Sequence, residues 1–427
     1  MSRRFLYMVV GNCSFAPSLY TLHRINPSAL FYPKDSPDRA AAAAAACMRS
    51  TTMEAAAEDL RARKKAMRES RLWPKSIKAD GAEEARLPVA SMNFSTPGIA
   101  MDFALIGRSK DKIVALDGEN PDYTGNNWEA PGRAVLYDDA AHSVRAQLCN
   151  RLPDRDTVPV AVGDNVYFMG EEEGVVPSKE NLRALIRYPT REPDIDSDWY
   201  WYSFPPPPYD VIGTGEHDPR PHYPERRDML GAYAVVGESH IWASTRIRGT
   251  FSMDTASGTW SRASDSPLPF SGRAEYAPEH GLWFGFPNDE WQYDSDNKWR
   301  YESGDSDLLC AWDLNSVESG GAAAPLRAHG VWEGGFGAPS WSFNVRSHLL
   351  HLGDGGRFCV AKLYQTYEPV PPGACSRCYN DGTRDEISFA VLTGVEVERC
   401  DNGELRMVKH RSCKYSFGEY SFPQDVL

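Results

Sequence analysis

Apolar residues along the chain come in short runs that alternate with polar positions and stop at Gly, Asp, Asn or Ser. That is the period of half-buried strands rather than of helices. The clearest phrase is Val160-Ala-Val-Gly163-Asp-Asn-Val166-Tyr167-Phe168, and it returns as Ala234-Val-Val-Gly237-Glu-Ser-His-Ile241-Trp242-Ala243. Weaker copies are Ala104-Leu-Ile-Gly107 before Ile113-Val114-Ala115, and Ala274-Glu-Tyr276 before Leu282-Trp283-Phe284. Two more are Phe343-Asn-Val345 before Leu349-Leu350-His351, and Ile387-Ser-Phe389-Ala-Val391 before Val395-Glu-Val397. Each predicts a hairpin. A second element reads apolar-x-aromatic or apolar-Asp, a turn, then a returning strand. It occurs as Phe251-Ser-Met253-Asp254 before Gly258 and Trp260, as Trp291-Gln-Tyr293-Asp294 before Trp299, and as Val135-Leu-Tyr137-Asp138 before Val144. The Asp is predicted to open a tight turn by bonding its own backbone, and the Trp to fill the gap between sheets.

Two hairpins per repeat make a four-stranded sheet, and the copies recur at roughly 40–75 residues, near the period of kelch blades with loop insertions. One such sheet cannot bury both faces, whereas a ring buries every face and leaves short edges. The expected fold is therefore all-β: a single kelch-like β-propeller of six four-stranded blades. Segments 4–10 and 19–25 read as strands before the first full repeat, and 405–409 and 414–417 as C-terminal strands. Strands from both ends are expected to share one blade. Residues 1–33 would supply the N-terminal strands and 91–427 the propeller. Between them, 34–90 reads as an Ala-rich, basic insertion, partly helical or disordered. Ala40 to Ala46 is unbroken alanine, and Thr51 with Glu54 fits a capping box ahead of Met53, Leu60 and Met67 at heptad spacing, a helix candidate over 54–70.

The formal net charge is −13. Residues 1–90 carry 15 basic and 9 acidic residues out of 46 and 59, so the remainder holds 31 basic and 50 acidic. An acidic body repels phosphate backbones, and nucleic acid is not expected as a partner. No run approaches the ~20 apolar residues of a membrane span, so no membrane partner is expected. Nine irregularly spaced Cys without a secretory leader point to free thiols in a reducing compartment, cytoplasmic or nuclear. The acid-free first 34 residues also have the composition of an organelle transit peptide, although they pattern better as a strand pair.

Several phrases carry a resemblance beyond the repeat. Met1-Ser-Arg-Arg-Phe-Leu6, Tyr20-Thr-Leu-His-Arg-Ile25, Leu87-Pro-Val-Ala-Ser-Met-Asn-Phe94 and Gly237 with Ile241-Trp242 together resemble a plant family, greatly expanded in grasses. Its members are called kelch-like, and its domain has no assigned function. Gly304-Asp-Ser-Asp-Leu-Leu-Cys-Ala-Trp-Asp-Leu314, Arg357-Phe-Cys-Val-Ala361 and Phe389-Ala-Val-Leu-Thr-Gly-Val-Glu-Val397 are similar to its later blades. The resemblance covers the chain apart from roughly residues 35–85. It implies a propeller and supplies no catalytic residue. The double-glycine signature of standard kelch repeats is largely missing.

Motifs with chemistry are few. Cys375-Ser-Arg-Cys378 has the spacing of half a zinc site and lacks a second close pair, so no metal is expected. Asp194, Asp196 and Asp198 begin like a calcium loop that fails at Trp199 and Pro205. Gly213-Thr-Gly215 is not a nucleotide fingerprint, and no cofactor is expected. The most unusual segment is Trp199-Tyr-Trp-Tyr-Ser-Phe204, followed by Pro205, Pro206, Pro207, Pro208 and Tyr209. The prolines are expected to rise from the blade as a stiff polyproline segment, with His217 and His222 on the loop beyond. With Trp332 and Trp341, which are read as lying in Gly-rich connections, these are the candidate binding residues. The leading function is a non-catalytic scaffold for a protein partner or small ligand. The alternative is a propeller hydrolase or lyase with acidic residues at the central channel.

Overall fold

A computed structural model of the chain describes residues 3–12, 18–46, 82–96, 101–107, 109–117, 132–149, 157–170, 182–188, 198–209, 230–245, 248–288, 292–293, 299–300, 308–315, 328–333, 342–353, 355–369, 383–418 and 420–427. The period-two runs form strands, and neighbouring strands in sequence pair as antiparallel hairpins. The phrase around Gly163 is the strand Thr157–Val162 turning into Asn165–Gly170, with Val162 opposite Asn165. Gly163 takes φ +62°, which a tight two-residue turn requires of a residue without a Cβ. Its copy at Gly237 joins Leu230–Val236 to His240–Thr245. Two of the Asp turns form as read, and the third, at Asp294, lies outside the described residues. Asp254 Oδ1 accepts from Ala256 N at 2.9 Å, and Asp138 Oδ1 accepts from Ala141 N at 2.9 Å.

Most strands group by fours; the fourth and fifth groups are joined in one eight-stranded sheet, and Gln292–Tyr293 with Trp299–Arg300 forms a separate two-stranded one. The second sheet runs Met101–Ile106, Lys112–Asp117, Gly132–Asp138, Ser143–Cys149; the third runs Thr157–Val162, Asn165–Gly170, Leu182–Tyr188, Asp198–Ser203. The fourth runs Leu230–Val236, His240–Thr245, Gly249–Asp254, Trp260–Ser264. The fifth runs Phe270–Ala277, Leu282–Pro287, Leu308–Trp312, Ala328–Glu333. The sixth runs Ser342–His351, Arg357–Pro369, Thr383–Arg399, Leu405–Ser416. In the first sheet the order is Ser421–Val426, Leu6–Asn12, Ser18–Ile25, Ala90–Thr96. Both ends of the chain thus share one sheet: Met8 lies opposite Val426, and Tyr7 and Leu427 exchange backbone bonds of 3.0 and 2.8 Å. The C-terminal strand that does this is Ser421–Val426; the segments 405–409 and 414–417 belong to one long strand of the sixth sheet.

A buried core lies between each pair of successive sheets. Tyr7, Val9 and Leu22 face Phe103, Ile113 and Tyr137 of the second sheet. On the same strand Leu6, Met8 and Val10 face Leu350, Leu363 and Leu392 of the sixth. Alternate residues therefore fill two different cores, and the sheet is apolar on both faces. Comparable clusters join the second sheet to the third, the third to the fourth, the fourth to the fifth and the fifth to the sixth. The last core, between sixth and first, closes the series.

Two predicted hairpins are single strands. Phe343 through His351 form one strand, Ser342–His351, with a bulge between Asn344 and Arg346. Thr383–Arg399 is likewise continuous, with a register shift between Thr393 and Val395. The polar residues Arg346, Ser347 and His348 looked like a turn because they are polar, yet they lie on a strand at the inner edge of a sheet.

Within 34–90 the described parts are tied to the sixth sheet. The alanine run forms the helix Pro37–Ala46. Ser36 Oγ accepts from Arg39 N at 3.2 Å ahead of it, and Pro37 sits where a helix needs no donor. Arg39 Nη2 reaches Glu396 Oε2 at 3.0 Å, and His410 Nε2 lies 3.2 Å from the same oxygen. Ala82–Glu84 adds a parallel strand beside Leu405–Ser416. The helix candidate over 54–70 lies outside the described residues.

Candidate functional site

Each sheet begins with one edge strand, and these edges meet. Leu230–Val236 pairs in parallel with Phe270–Ala277, which brings the first strands of the fourth and fifth sheets side by side. Gly107 N donates to Gly163 O at 3.0 Å, linking the ends of the first strands of the second and third sheets. Pro159 and Pro423 both sit on such innermost strands, as a residue without a donor must lie on an edge.

Polar residues on these inner strands converge near the axis. Arg273 and Glu275 come from the fifth sheet, Arg346 and His348 from the sixth, Asp425 from the first and Asp102 from the second. Bulges aim several of them. Pairing of Phe270–Ala277 with the next strand shifts between Ser271 and Glu275, and Gly272 adopts φ +67°. Residues 272–274 pair with 232–234 instead. A second bulge lies between Val9 and Val10, opposite Asp425 and Pro423.

Arg273 Nη2 stands 3.1 Å from Glu275 Oε1, and His348 Nε2 stands 3.3 Å from Asp425 Oδ1. Asp102 Oδ2 accepts from Thr157 Oγ1 at 3.2 Å, and Arg346 Nη1 donates to Gln424 O at 3.3 Å. Burial raises the Asp425 carboxyl to about 6, aided by the charge of Asp102 and opposed by Arg346. Burial pushes the His348 imidazole down to about 3, and Arg346 and Arg273 act in the same direction. The imidazole is therefore neutral near pH 7.

Two further cations enter from flanking segments. Arg3 is held by its backbone N–H on Leu352 O at 2.8 Å, and its side chain is buried. Lys110 lies in the turn after Met101–Ile106, in the left-handed region at φ +53°. Burial, with Arg3 and Arg273 nearby, lowers its ammonium to about 8. Arg3 Nη1 is a buried atom without a hydrogen-bond partner, whereas Glu275 Oε1 and His348 Nε2 face Arg273 and Asp425 at the distances above.

The residues singled out in the sequence fall elsewhere. The proline segment crosses to the fourth sheet. Trp260 Nε1 donates to Pro205 O at 3.1 Å, and Arg248 Nη1 donates to Pro208 O at 3.4 Å. Pro205 is exposed, Pro206 and Pro208 are half-buried, Pro207 is buried and Tyr209 is wholly buried against Phe251. The segment is therefore a strap on the next sheet and does not rise from its own blade. Trp332 is not in a connection: it lies on Ala328–Glu333, 5% exposed, stacked near Phe284 in the core between the fifth and sixth sheets. His217, His222, Trp341, Cys375, Cys378 and Gly213 lie outside the described residues. Among the described residues no group of three His, Cys, Asp or Glu is placed to hold a metal ion. None of the described helices is long and apolar enough to cross a membrane.

Sequence reasoning missed the axial cluster. Its signal was present as polar residues at i and i+2 on the first strand of a repeat, Arg273 with Glu275 and Arg346 with His348. Asp425 had no such signal, because its strand repeats nothing nearby.

Four-stranded sheets with their first strands inward, each packed on the next and closed by both chain ends, define a β-propeller. The chain belongs to the family described as "Protein of unknown function (DUF1668)", whose model matches residues 3–415. No curated protein matches the sequence. Among solved structures it is similar to the β-propeller domain of Myceliophteria thermophila Cps50 (Swd1), with 8% identity and a TM-score of 0.33 over 74% of this chain and 86% of that one. It is also similar to Trypanosoma rangeli sialidase in complex with the inhibitor DANA, with 8% identity and a TM-score of 0.28 over 79% and 60%. A third likeness is to the WD40 domain of SCAP from fission yeast, with 7% identity and a TM-score of 0.27 over 77% and 69%.

Proposed function

We propose that the protein is a non-catalytic, kelch-like propeller of six blades that binds a small ligand at the axis of its ring. Six groups of four strands among the described residues support the blade count, and the phrases quoted above support the kelch-like reading and a plant origin. The observation that carries the binding reading is the convergence of charged side chains from several sheets at the axis, with the buried Arg3 Nη1 left without a hydrogen-bond partner. A buried donor left in this way costs about 1–3 kcal/mol of lost hydration, which a ligand of matching polarity offsets. The acidic body argues against nucleic acid. Cys310, Cys359, Cys400 and Cys413 are free thiols, which suits a reducing, intracellular setting.

The test is mass spectrometry of the intact protein purified from native extract, under native and then denaturing conditions. A small molecule released on denaturation supports the reading. Protein that carries nothing, and that shows no thermal shift with any fraction of a small-molecule extract, contradicts it.

One observation favours a second reading, an acid–base enzyme. Asp425, raised to about 6, and Asp102 are two carboxylates at the axis, the arrangement a proton-transfer site needs. Turnover of a released ligand, lost in Asp425→Asn with binding retained, would favour the enzyme.

A further inference from the structure

The axial cluster is not electrically even, and its imbalance names the ligand class. At the end formed by Arg3, Lys110 and Arg273, the carboxylate that acts on all three cations is Glu275. Asp425 acts on Arg273 as well, from a position shared with Arg346. Across the axial cluster Arg3, Lys110, Arg273 and Arg346 face Glu275, Asp425 and Asp102, which leaves one positive charge over, inside a chain whose net charge is −13. Like charges are not gathered in a partly desolvated place without cost.

Two backbone features set where Lys110 and Arg273 lie. Lys110 occupies the left-handed region that non-glycine residues rarely adopt, and the bulge at Gly272 turns Arg273 out of register with its own hairpin. Such local strain clusters where side chains are aimed for a purpose. The third cation, Arg3, is more than nine-tenths buried, and its Nη1 has no hydrogen-bond partner. A guanidinium presents a planar fork of donors that matches the oxygens of a phosphate or carboxylate, and a lysine adds a point charge.

We infer that the axial end lined by Arg3, Lys110 and Arg273 is a binding site for a small oxyanion: a phosphate group or a dicarboxylate. The inference rests on the binding reading above and narrows it. Arg3 and Arg273 supply the fork donors, Lys110 supplies the third charge, and Glu275 orients Arg273 across their 3.1 Å contact.

The experiment is isothermal titration of the full chain with inorganic phosphate and, separately, with malonate, at one ionic strength fixed with sodium chloride. Four proteins are compared: wild type, Lys110→Gly, Arg273→Gln and the exposed control Lys34→Gln. Glycine suits the backbone at 110, so Lys110→Gly removes the charge and leaves the turn intact. Wild type and Lys34→Gln are expected to bind at least one probe saturably, and Lys110→Gly to bind it at least tenfold more weakly. The better probe distinguishes a phosphate from a dicarboxylate source. Wild type that binds neither probe, or Lys110→Gly that binds as tightly as wild type, overturns the inference. If a neutral molecule co-purifies on the native protein while neither oxyanion binds, the binding reading stands and this inference falls.

Discussion

Replacing Asp425 with Asn tests whether a carboxylate is held against its preference at the axis. The folded protein raises this group from its ordinary 3.8 to about 6, chiefly by burial. A raised carboxyl means that the folded state binds the proton more tightly than the unfolded chain. Its contribution is therefore fully present below about pH 4 and is lost as pH rises through 6. A shift of about two units corresponds to ~3 kcal/mol. With 14% of the Asp425 side chain exposed, solvent screening trims this figure modestly. An Asn at 425 does not titrate. In urea unfolding, the stability of Asp425→Asn relative to wild type is expected to move by about 2–3 kcal/mol in favour of the variant between about pH 4 and about pH 8. The two forms should differ least in this term at the acid end. A stability gap that stays constant within about 0.5 kcal/mol over that window would refute the reasoning, because the carboxyl would then be solvated in the folded ring.

Glu396 gives the opposite pH dependence. Burial works to raise it, but His410, Arg39 and Arg357 outweigh burial and hold it at about 2, so its contribution is present above about 4.5 and disappears as pH falls toward 2. Glu396→Gln should cost about 3 kcal/mol near pH 7 in urea unfolding, with the difference shrinking in acid. At Gly394 an added Cβ would clash with the backbone oxygen of Leu30, so Gly394→Ala should cost about 1–3 kcal/mol in the same assay. Gly231→Ala, where the nearest atom is 3.9 Å away, should change stability by less than about 0.5 kcal/mol. Trp260→Phe removes the 3.1 Å bond to Pro205 O and should speed limited proteolysis within the proline strap while costing about 1 kcal/mol overall.

The fold was legible where one residue type has one structural meaning. Gly163 and Gly237 mark hairpin turns because each needs a positive φ, and Asp138 and Asp254 mark turns because a carboxylate beside its own backbone bonds it. Gly394 misled for an equally physical reason. Glycine there makes room for the close approach of Leu30, so the strand runs on where a turn was expected. Polarity misled at Arg346 and His348, because a strand at the ring axis is polar without being a loop. The site was less legible than the fold. Arg3, Lys110, Arg273 and Asp425 lie far apart in sequence, and only the ring brings them together. Trp332 was conspicuous as a large aromatic beside glycines, yet it packs inside a core. The prolines do form a distinct segment, and its strapping to the neighbouring sheet depends on Trp260 and Arg248, which lie 55 and 40 residues beyond the prolines they bond.

Everything at the axis depends on the two chain ends sharing one sheet. Met8 lies opposite Val426, and Tyr7 and Leu427 exchange hydrogen bonds beside them. This makes 8 and 426 a non-hydrogen-bonded pair, whose Cα atoms are about 4.5 Å apart and can carry a disulfide. Under mild oxidation, the double variant Met8→Cys, Val426→Cys is predicted to form an internal bridge. The circularised chain would run faster on a denaturing gel and revert with reductant, while Tyr20→Cys, Val426→Cys would not bridge. Failure of the first pair to close while the protein remains folded, or equal closure of the second, would contradict a ring sealed by its two ends.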